Sequence, residues 1–133
     1  MSGVSLSMVT LIVPAMDDAI AHYTQDWGFA LTMDTHHISG HRWVVIDPGS
    51  GAKLRLVEAT NDDETAAIGR QACGRVAFFL NVAPFDAIVG RWLERGIKIT
   101  EPERNETYGR IVVMDDKYGN RWDAIEAKDA RQQ

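Results

Sequence analysis

The feature that most limits the fold of this chain is an internal repeat. When residues 42–59 (RWVVIDPGSGAKLRLVEA) are placed above residues 110–127 (RIVVMDDKYGNRWDAIEA), identical and similar residues match without a gap. Arg42 matches Arg110 and Ala59 matches Ala127, so that 110 − 42 = 68 and 127 − 59 = 68. Self-similarity at a fixed spacing is the signature of a repeated structural unit. We therefore expect two copies of one fold.

The repeat extends into the residues that precede these segments. At the same spacing of 68, Asp18 matches Asp86 and Gly28 matches Gly96. The apolar runs 8–13 and 75–80, however, align at a spacing of 67. This difference predicts one inserted residue between the first strand of a copy and its helix.

The hydrophobic pattern predicts the same order of elements in both copies, namely a strand, a helix and three further strands. In the first copy, the predicted strand Met8–Val13 ends at Pro14, and apolar residues then recur at helical spacing from Ala19 to Trp27. The second helix is predicted after Pro84 and ends at Gly96. The other predicted strands are Phe29–Asp34, Arg42–Ile46, Lys53–Glu58, Arg75–Leu80, Lys98–Glu101, Arg110–Met114 and Arg121–Glu126. The sequence thus predicts an α+β fold of two tandem βαβββ modules.

The length of 133 residues is that of one domain. We expect a single domain over 1–133, with module one at about residues 8–59, a linker at 60–73 and module two at about 74–127. The linker begins with polar residues, and a short helix is predicted at Glu64–Ile68.

The composition narrows the class of protein. The net charge of −5 and the pI near 5.3 argue against nucleic-acid binding, which usually requires a basic surface. The lone Cys73 excludes an internal disulfide and fits a reducing compartment. The apolar stretch Met8–Pro14 is too short to cross a bilayer. We expect a cytoplasmic protein without nucleic-acid or membrane partners.

Several motifs resemble those of the vicinal oxygen chelate superfamily, which includes glyoxalases (lactoylglutathione lyases), bleomycin-resistance proteins and extradiol dioxygenases. The resemblance covers about residues 8–127. It is carried by Asp-Asp-Ala-Ile-Ala-His-Tyr at 17–23, Trp27-Gly28-Phe29, Arg42-Trp43-Val44, Glu106-Thr107-Tyr108-Gly109 and Tyr118-Gly119-Asn120-Arg121-Trp122-Asp123. It implies curved mixed sheets around an open cleft, usually within a homodimer, and a small-molecule ligand. One such fold hosts many activities.

The resemblance also locates the positions where metal-dependent members hold a divalent ion. In this chain those positions are Met8, Arg55, Arg75 and Asp123. Only the Asp123 carboxylate is a ligand for a hard cation, because arginine stays protonated and has no free acceptor. His37 and His41 have no cysteine or carboxylate at ligand spacing, so we expect exposed histidines there. The sequence therefore predicts neither a metal ion nor another cofactor.

Strand alternation predicts which side chains replace the metal site. Because residues two apart share a face, Met8, Arg55, Arg75 and Asp123 are expected to face the cleft, while Phe78, Leu54, Leu56 and Trp122 point into the core. Two interpretations remain open. The Arg–Asp–Arg cluster could brace the two sheets, or it could bind an anion, since arginine forks suit carboxylate and phosphate.

Three further residues are candidate ligand contacts. Tyr108 lies at the entrance of a strand that lines the cleft in the family, and its hydroxyl could hydrogen-bond a ligand; the alternative is a packing or interface tyrosine. Trp43 and Phe79, together with Met8, are predicted to form an apolar wall, as in pockets that are mostly hydrophobic with a few polar groups.

These residues favour one function over two others. The favoured hypothesis is a metal-free protein that binds a small, anionic and partly apolar molecule, with no catalytic residue identified. The second is a metal-dependent enzyme of the glyoxalase or dioxygenase type, supported by Asp123 and the histidines. The third is sequestration of a drug or metabolite without chemistry, as in bleomycin resistance.

Overall fold

A computed structural model describes residues 3–36 and 40–127. The chain divides into two compact units, a first unit over Met1–Ile68 and a second unit over Gly69–Gln133. Each unit contains one four-stranded mixed sheet, with strand orders β1-β4-β3-β2 and β5-β8-β7-β6. The same order in both units confirms the predicted duplication and the α+β class.

The element order in each unit is strand, helix and three strands. The first unit contains β1 (Met8–Val13), α1 (Met16–Ala21), a π-helical segment (His22–Asp26), β2 (Ala30–His36), β3 (Arg42–Asp47), β4 (Lys53–Glu58) and α2 (Asp62–Ala67). The second contains β5 (Val76–Asn81), α3 (Phe85–Glu94), β6 (Lys98–Glu106), β7 (Gly109–Asp115) and β8 (Arg121–Ala127). β1 pairs with β4 and β5 pairs with β8 in parallel, and the other pairs are antiparallel.

The strand β6 and the linker helix α2 differ from the sequence prediction in length or position. β6 continues five residues beyond the predicted end at Glu101, because a register shift between Glu101 and Arg104 accommodates Pro102 and pairing then resumes. The linker helix begins at Asp62 rather than Glu64, since the Asn61 side chain caps it by accepting a hydrogen bond from the Glu64 backbone N–H at 2.8 Å.

One face of each sheet packs into an apolar core. In the first unit, Leu54 and Leu56 on β4 are buried, together with Tyr23 and Trp27 of the helical segment. In the second unit, Trp122 is buried and its ring centroid lies 4.3 Å from that of Phe78. Leu54, Leu56 and Trp122 are therefore core residues as predicted, whereas Phe78 is half-buried.

The inserted residue of the repeat lies elsewhere than the sequence alignment predicted. Met8 pairs with Lys53 and Val76 pairs with Arg121, so the first strands begin in register at 76 − 8 = 68. A β-bulge between Val76 and Phe78 then adds one residue to β5. Beyond the bulge the first strands are related by a spacing of 69, and the predicted spacing of 67 is wrong.

The helices keep this spacing of 69 until a second irregularity restores 68. α1 begins at Met16 and α3 at Phe85, so that 85 − 16 = 69. The π-helical segment His22–Asp26 then adds one residue to the first unit, as a π-bulge does. The counterpart of Asp86 is therefore Asp17, not Asp18.

A pair of equivalent arginines supports this corrected alignment. Arg42 on β3 lies 2.7 Å from Asp17 at the start of α1 and 2.9 Å from Asp34 on β2. Arg110 on β7 lies 3.1 Å from Asp86 at the start of α3 and 2.7 Å from Glu126 on β8. Each arginine thus joins the first turn of a helix to its sheet through two carboxylates.

Candidate ligand-binding faces

Equivalent positions on β4 and β8 carry opposite charges. Arg55 and Asp123 differ by the repeat spacing, 123 − 55 = 68, and each is the middle residue of a three-strand rung. Arg55 lies between Thr10 and Val45, and Asp123 lies between Phe79 and Val113. We call the sheet faces that carry these two side chains the Arg55 face and the Asp123 face.

The Arg55 face presents a guanidinium group stacked on an aromatic ring. Arg55 Cζ lies 3.8 Å from the centroid of the Trp43 ring, a cation–π contact. The Nε of Arg55 is covered by protein and has no hydrogen-bond partner within the described ranges. In contrast, Arg42 is held by Asp17 and Asp34, and Arg110 is held by Asp86 and Glu126 with Glu103 at 3.8 Å. Arg55 is therefore a half-buried cation that is positioned by an aromatic ring and not by an acid.

The Asp123 face presents a buried carboxylate beside an exposed aromatic ring. Asp123 is 7% exposed, and its Oδ1 has no hydrogen-bond partner among residues 3–36 and 40–127. Its rung neighbour Phe79 is 65% exposed. Burial raises the pKa of Asp123 above its ordinary value, and Arg104 opposes that shift less strongly than burial drives it. The structure thus brings Phe79 and Asp123 together, as it does Trp43 and Arg55.

The remaining predicted contacts lie at the ends of strands. Met8 is the half-buried first residue of β1 and pairs with Lys53. Tyr108 is 53% exposed in the two-residue turn that joins β6 to β7. Arg75 is exposed and precedes β5 by one residue. The bulge between Val76 and Phe78 interrupts the alternation by which Arg75 and Phe79 were expected to share a face, and Val76 is the residue that pairs with Arg121.

None of the described histidines belongs to a group of side chains that could hold a metal ion. His41 is exposed, as expected, His36 is also exposed, and His37 lies outside the described residues. His22 is buried: its Nδ1 lies 2.8 Å from Asp26 Oδ2, and its Nε2 accepts a hydrogen bond from Trp27 Nε1 at 3.2 Å. Both ring nitrogens are therefore engaged. No group of three or more His, Cys, Asp or Glu side chains suited to a metal ion occurs in the described part of the chain.

A buried network in the β7–β8 turn was missed by the sequence reasoning. Asp116 accepts hydrogen bonds from the backbone N–H groups of Tyr118 and Asn120, each at 3.0 Å. It also accepts from Asn120 Nδ2 and Trp122 Nε1, each at 3.0 Å. The turn-forming sequence predicted the hairpin, but only the burial of Asp116 and Asn120 shows that this network positions the start of β8 and hence Asp123.

The raised pKa of Asp123 leads to a prediction about stability. Because folded Asp123 holds its proton to a higher pH than unfolded Asp123, the folded chain loses stability as the pH rises from the ordinary aspartate pKa through the raised value. We expect Asp123→Asn to be more stable than the wild type at pH 7, with the gain disappearing below the ordinary pKa. Urea unfolding between pH 3 and pH 8 measures this difference. A variant that is less stable than the wild type at pH 7 would contradict the expectation.

The chain matches known proteins over nearly its whole length. The model of the Glyoxalase/Bleomycin resistance protein/Dioxygenase superfamily matches residues 5–124. An uncharacterized protein of Shewanella frigidimarina (strain NCIMB 400) is 36% identical over 128 residues, covering 94% of this chain and 95% of that protein. No helix among the described residues is long and apolar enough to cross a membrane.

Solved structures share the fold. UcmS2 is 25% identical with a TM-score of 0.77, covering 95% of this chain and 100% of that chain. A glyoxalase/bleomycin resistance protein from Streptomyces sp. CB03234 is 25% identical with a TM-score of 0.69, covering 92% of this chain and 100% of that chain. TnmS3, an antibiotic binding protein from the same organism, is 23% identical with a TM-score of 0.73, covering 96% of this chain and 99% of that chain. At this identity the likeness to TnmS3 shows the fold alone.

Proposed function

The chain belongs to the Glyoxalase/Bleomycin resistance protein/Dioxygenase superfamily, and from this premise we propose that it binds a small, anionic and partly apolar molecule without a metal ion. The observation that carries the proposal is the half-buried Arg55 guanidinium stacked on Trp43. A planar guanidinium donates two parallel hydrogen bonds to a carboxylate or phosphate, and the ring beneath it fixes its plane. These groups do not indicate a chemical reaction, so we propose ligand binding alone.

The charge on the Arg55 face supports an anionic ligand. Alternation and pairing place Lys53 on this face with Arg55, and Asp47 is the one carboxylate that β3 contributes to it. Two cations against one acid leave an excess of positive charge. The apolar part of the ligand would contact Trp43 and the half-buried Met8, which agrees with pockets of mostly apolar lining.

The side chains at the family's metal-ligand positions do not fit a divalent ion. Arg55 and Arg75 have no acceptor atom and would repel the ion, Met8 offers a soft thioether, and Asp123 alone offers oxygen. A hard divalent cation requires several oxygen or nitrogen donors. We therefore favour metal-free binding over a metal-dependent glyoxalase or dioxygenase. Elemental analysis of protein purified without chelator tests this choice: stoichiometric Ni, Zn, Mn or Fe would contradict it.

The binding proposal is tested first with two aromatic anions. Benzoate and phenyl phosphate are titrated into the wild type, Arg55→Ala, Arg55→Lys and the control Arg91→Ala, which removes an exposed cation from α3. We expect Arg55→Ala to weaken binding by roughly tenfold or more, since a hydrogen bond to a charged group contributes about 1.5–3 kcal/mol. The affinity of Arg55→Lys should lie between those of the wild type and Arg55→Ala, and the affinity of Arg91→Ala should match that of the wild type. NMR titration gives the dissociation constants.

The same series separates an anion site from a structural brace. If Arg55 braces the fold, Arg55→Ala lowers the free energy of unfolding while the affinity of any bound anion is unchanged. If neither anion binds the wild type, or if Arg55→Ala binds as tightly, the proposal is wrong. Arg75→Ala is measured in parallel, because its contribution is a prediction from sequence alone. Recovery of a bound natural ligand without chemical change would indicate sequestration.

A further inference from the structure

We propose that the Asp123 face is a second subsite, which takes a protonated amine attached to an aromatic or aliphatic group. The acceptor is the Asp123 carboxylate, and Phe79 provides the apolar contact. This inference goes beyond the proposed anion binding at Arg55 and is tested with a probe of opposite charge.

The first support is the state of the Asp123 carboxylate. It is 93% buried, from its exposure of 7%, and its Oδ1 lacks a hydrogen-bond partner within the described ranges. An ionised carboxylate accepts several hydrogen bonds, and leaving a buried acceptor unpaired is costly. Asp116, the other buried acid among the described residues, shows the contrast, because it accepts four hydrogen bonds at 3.0 Å. A donor from a ligand would remove the cost at Asp123.

The second support is the charge around Asp123. The two arginines that share its face are paired with other acids: Arg104 lies 3.0 Å from Glu106 and 3.7 Å from Glu101, and Arg121 lies 3.4 Å from Asp115. Lys98 also lies on this face, because it pairs with Asp115. The face therefore carries three cations and four carboxylates, namely Lys98, Arg104 and Arg121 with Glu101, Glu106, Asp115 and Asp123. The net charge of the face is negative, and Asp123 is the acid that takes part in none of these ion pairs.

The third support is the exposed ring of Phe79. Phe79 pairs with Asp123 on adjacent parallel strands, so the two side chains lie side by side on one face. A phenylalanine that is 65% exposed within a strand leaves apolar surface in water. The face of an aromatic ring also attracts a cation. A ring and a carboxylate side by side match an ammonium group carried on a short apolar stem.

The repeat explains why this chemistry is confined to one sheet. On the equivalent rung of the first unit, Thr10 stands in place of Phe79 and Arg55 in place of Asp123. The first unit therefore has a cation where the second has the carboxylate, and a polar side chain where the second has the aromatic ring. A buried carboxylate whose Oδ1 has no partner among the described residues, and which is expected to lower stability at neutral pH, is typical of a group retained for binding.

The proposal is tested with 2-phenylethylamine, which is protonated at pH 7, against 2-phenylethanol and phenylacetate. Each probe is titrated into the 15N-labelled full chain while the amide signals of residues 79, 113 and 123 are followed. The variants are Asp123→Asn, Phe79→Ala and the control Glu94→Gln, which removes an exposed carboxylate from α3. Asp123→Asn preserves the shape of the side chain, and Phe79→Ala changes an exposed residue, so both variants should fold.

The expected result is a preference for the amine over both other probes in the wild type. Asp123→Asn should weaken amine binding roughly tenfold or more, and Glu94→Gln should leave it unchanged. Amine affinity should also fall as the pH is lowered from 7 towards 4, and this dependence should disappear in Asp123→Asn. Glu101 on β6 is a second carboxylate on this face, so Glu101→Gln is included as a control and should keep the pH dependence. Equal amine binding by the wild type and Asp123→Asn, or no amine binding, overturns the proposal, whatever happens to anions at Arg55.

Discussion

Replacing Asp116 with alanine is expected to lower the free energy of unfolding by roughly 3–5 kcal/mol, a large part of the stability of a domain of this size. The variant removes the acceptor for the Trp122 indole N–H and for the Asn120 side chain, each at 3.0 Å. Both donors are buried, so each loses the Asp116 acceptor at a position where water has little access to replace it. Urea unfolding followed by tryptophan fluorescence measures the loss, with an unchanged m-value as the sign of two-state unfolding.

The neighbouring acid provides a matched control. Asp115 precedes Asp116 but is only half-buried, and it pairs with Arg121 at 3.4 Å on a partly exposed face. Asp115→Ala should therefore cost about 1 kcal/mol or less. Asp116→Asn keeps one acceptor oxygen, so its loss of unfolding free energy should lie between those of Asp115→Ala and Asp116→Ala. Equal losses for Asp115→Ala and Asp116→Ala would show that the buried network does not stabilise the turn.

The duplicated fold could be predicted from the sequence because identical residues recur at one spacing. The strand β4, whose burial alternates, was predicted with its observed ends. The strands β3 and β7 were predicted within one residue at each end, since each is an apolar run that ends at a turn-forming acidic residue. The irregularities in the backbone could not be predicted from the sequence, for a physical reason. A bulge at Val76–Phe78 and a π-helical segment at His22–Asp26 each add one residue without changing the residue types around them. Only backbone pairing reveals such insertions.

The candidate site was predictable only in part. Strand alternation correctly separated Arg55 and Asp123 from the core residues Leu54 and Trp122, because both β4 and β8 are regular. The stacking of Arg55 on Trp43 and the unpaired oxygen of Asp123 depend on side-chain conformation and on burial. Neither feature can be predicted from the hydrophobic pattern of the sequence. The buried role of Asp116 was hidden for the same reason, since turn sequences predict acids in loops without telling whether they are covered.

Gly69→Ala should be the second strongly destabilising change, with an expected loss of about 2–4 kcal/mol. Gly69 has φ +72°, a left-handed conformation that costs energy for any residue with a Cβ. A Cβ at this position would also overlap the backbone carbonyl oxygen of Tyr118 in the β7–β8 turn. A backbone atom cannot rotate away, so the segment at Gly69 or the turn must shift.

Gly74 separates these two costs. It has φ +86°, but a Cβ there would meet only the end of the flexible Arg70 side chain at 3.8 Å. Gly74→Ala therefore measures the cost of the left-handed backbone, about 1–2 kcal/mol, and the excess loss of Gly69→Ala measures the overlap with Tyr118. Because the displaced turn also contains Asp116, Gly69→Ala combined with Asp116→Ala should be less destabilising than the sum of the single changes. Equal losses for the two glycine variants would show that the approach of Gly69 to Tyr118 does not constrain this turn.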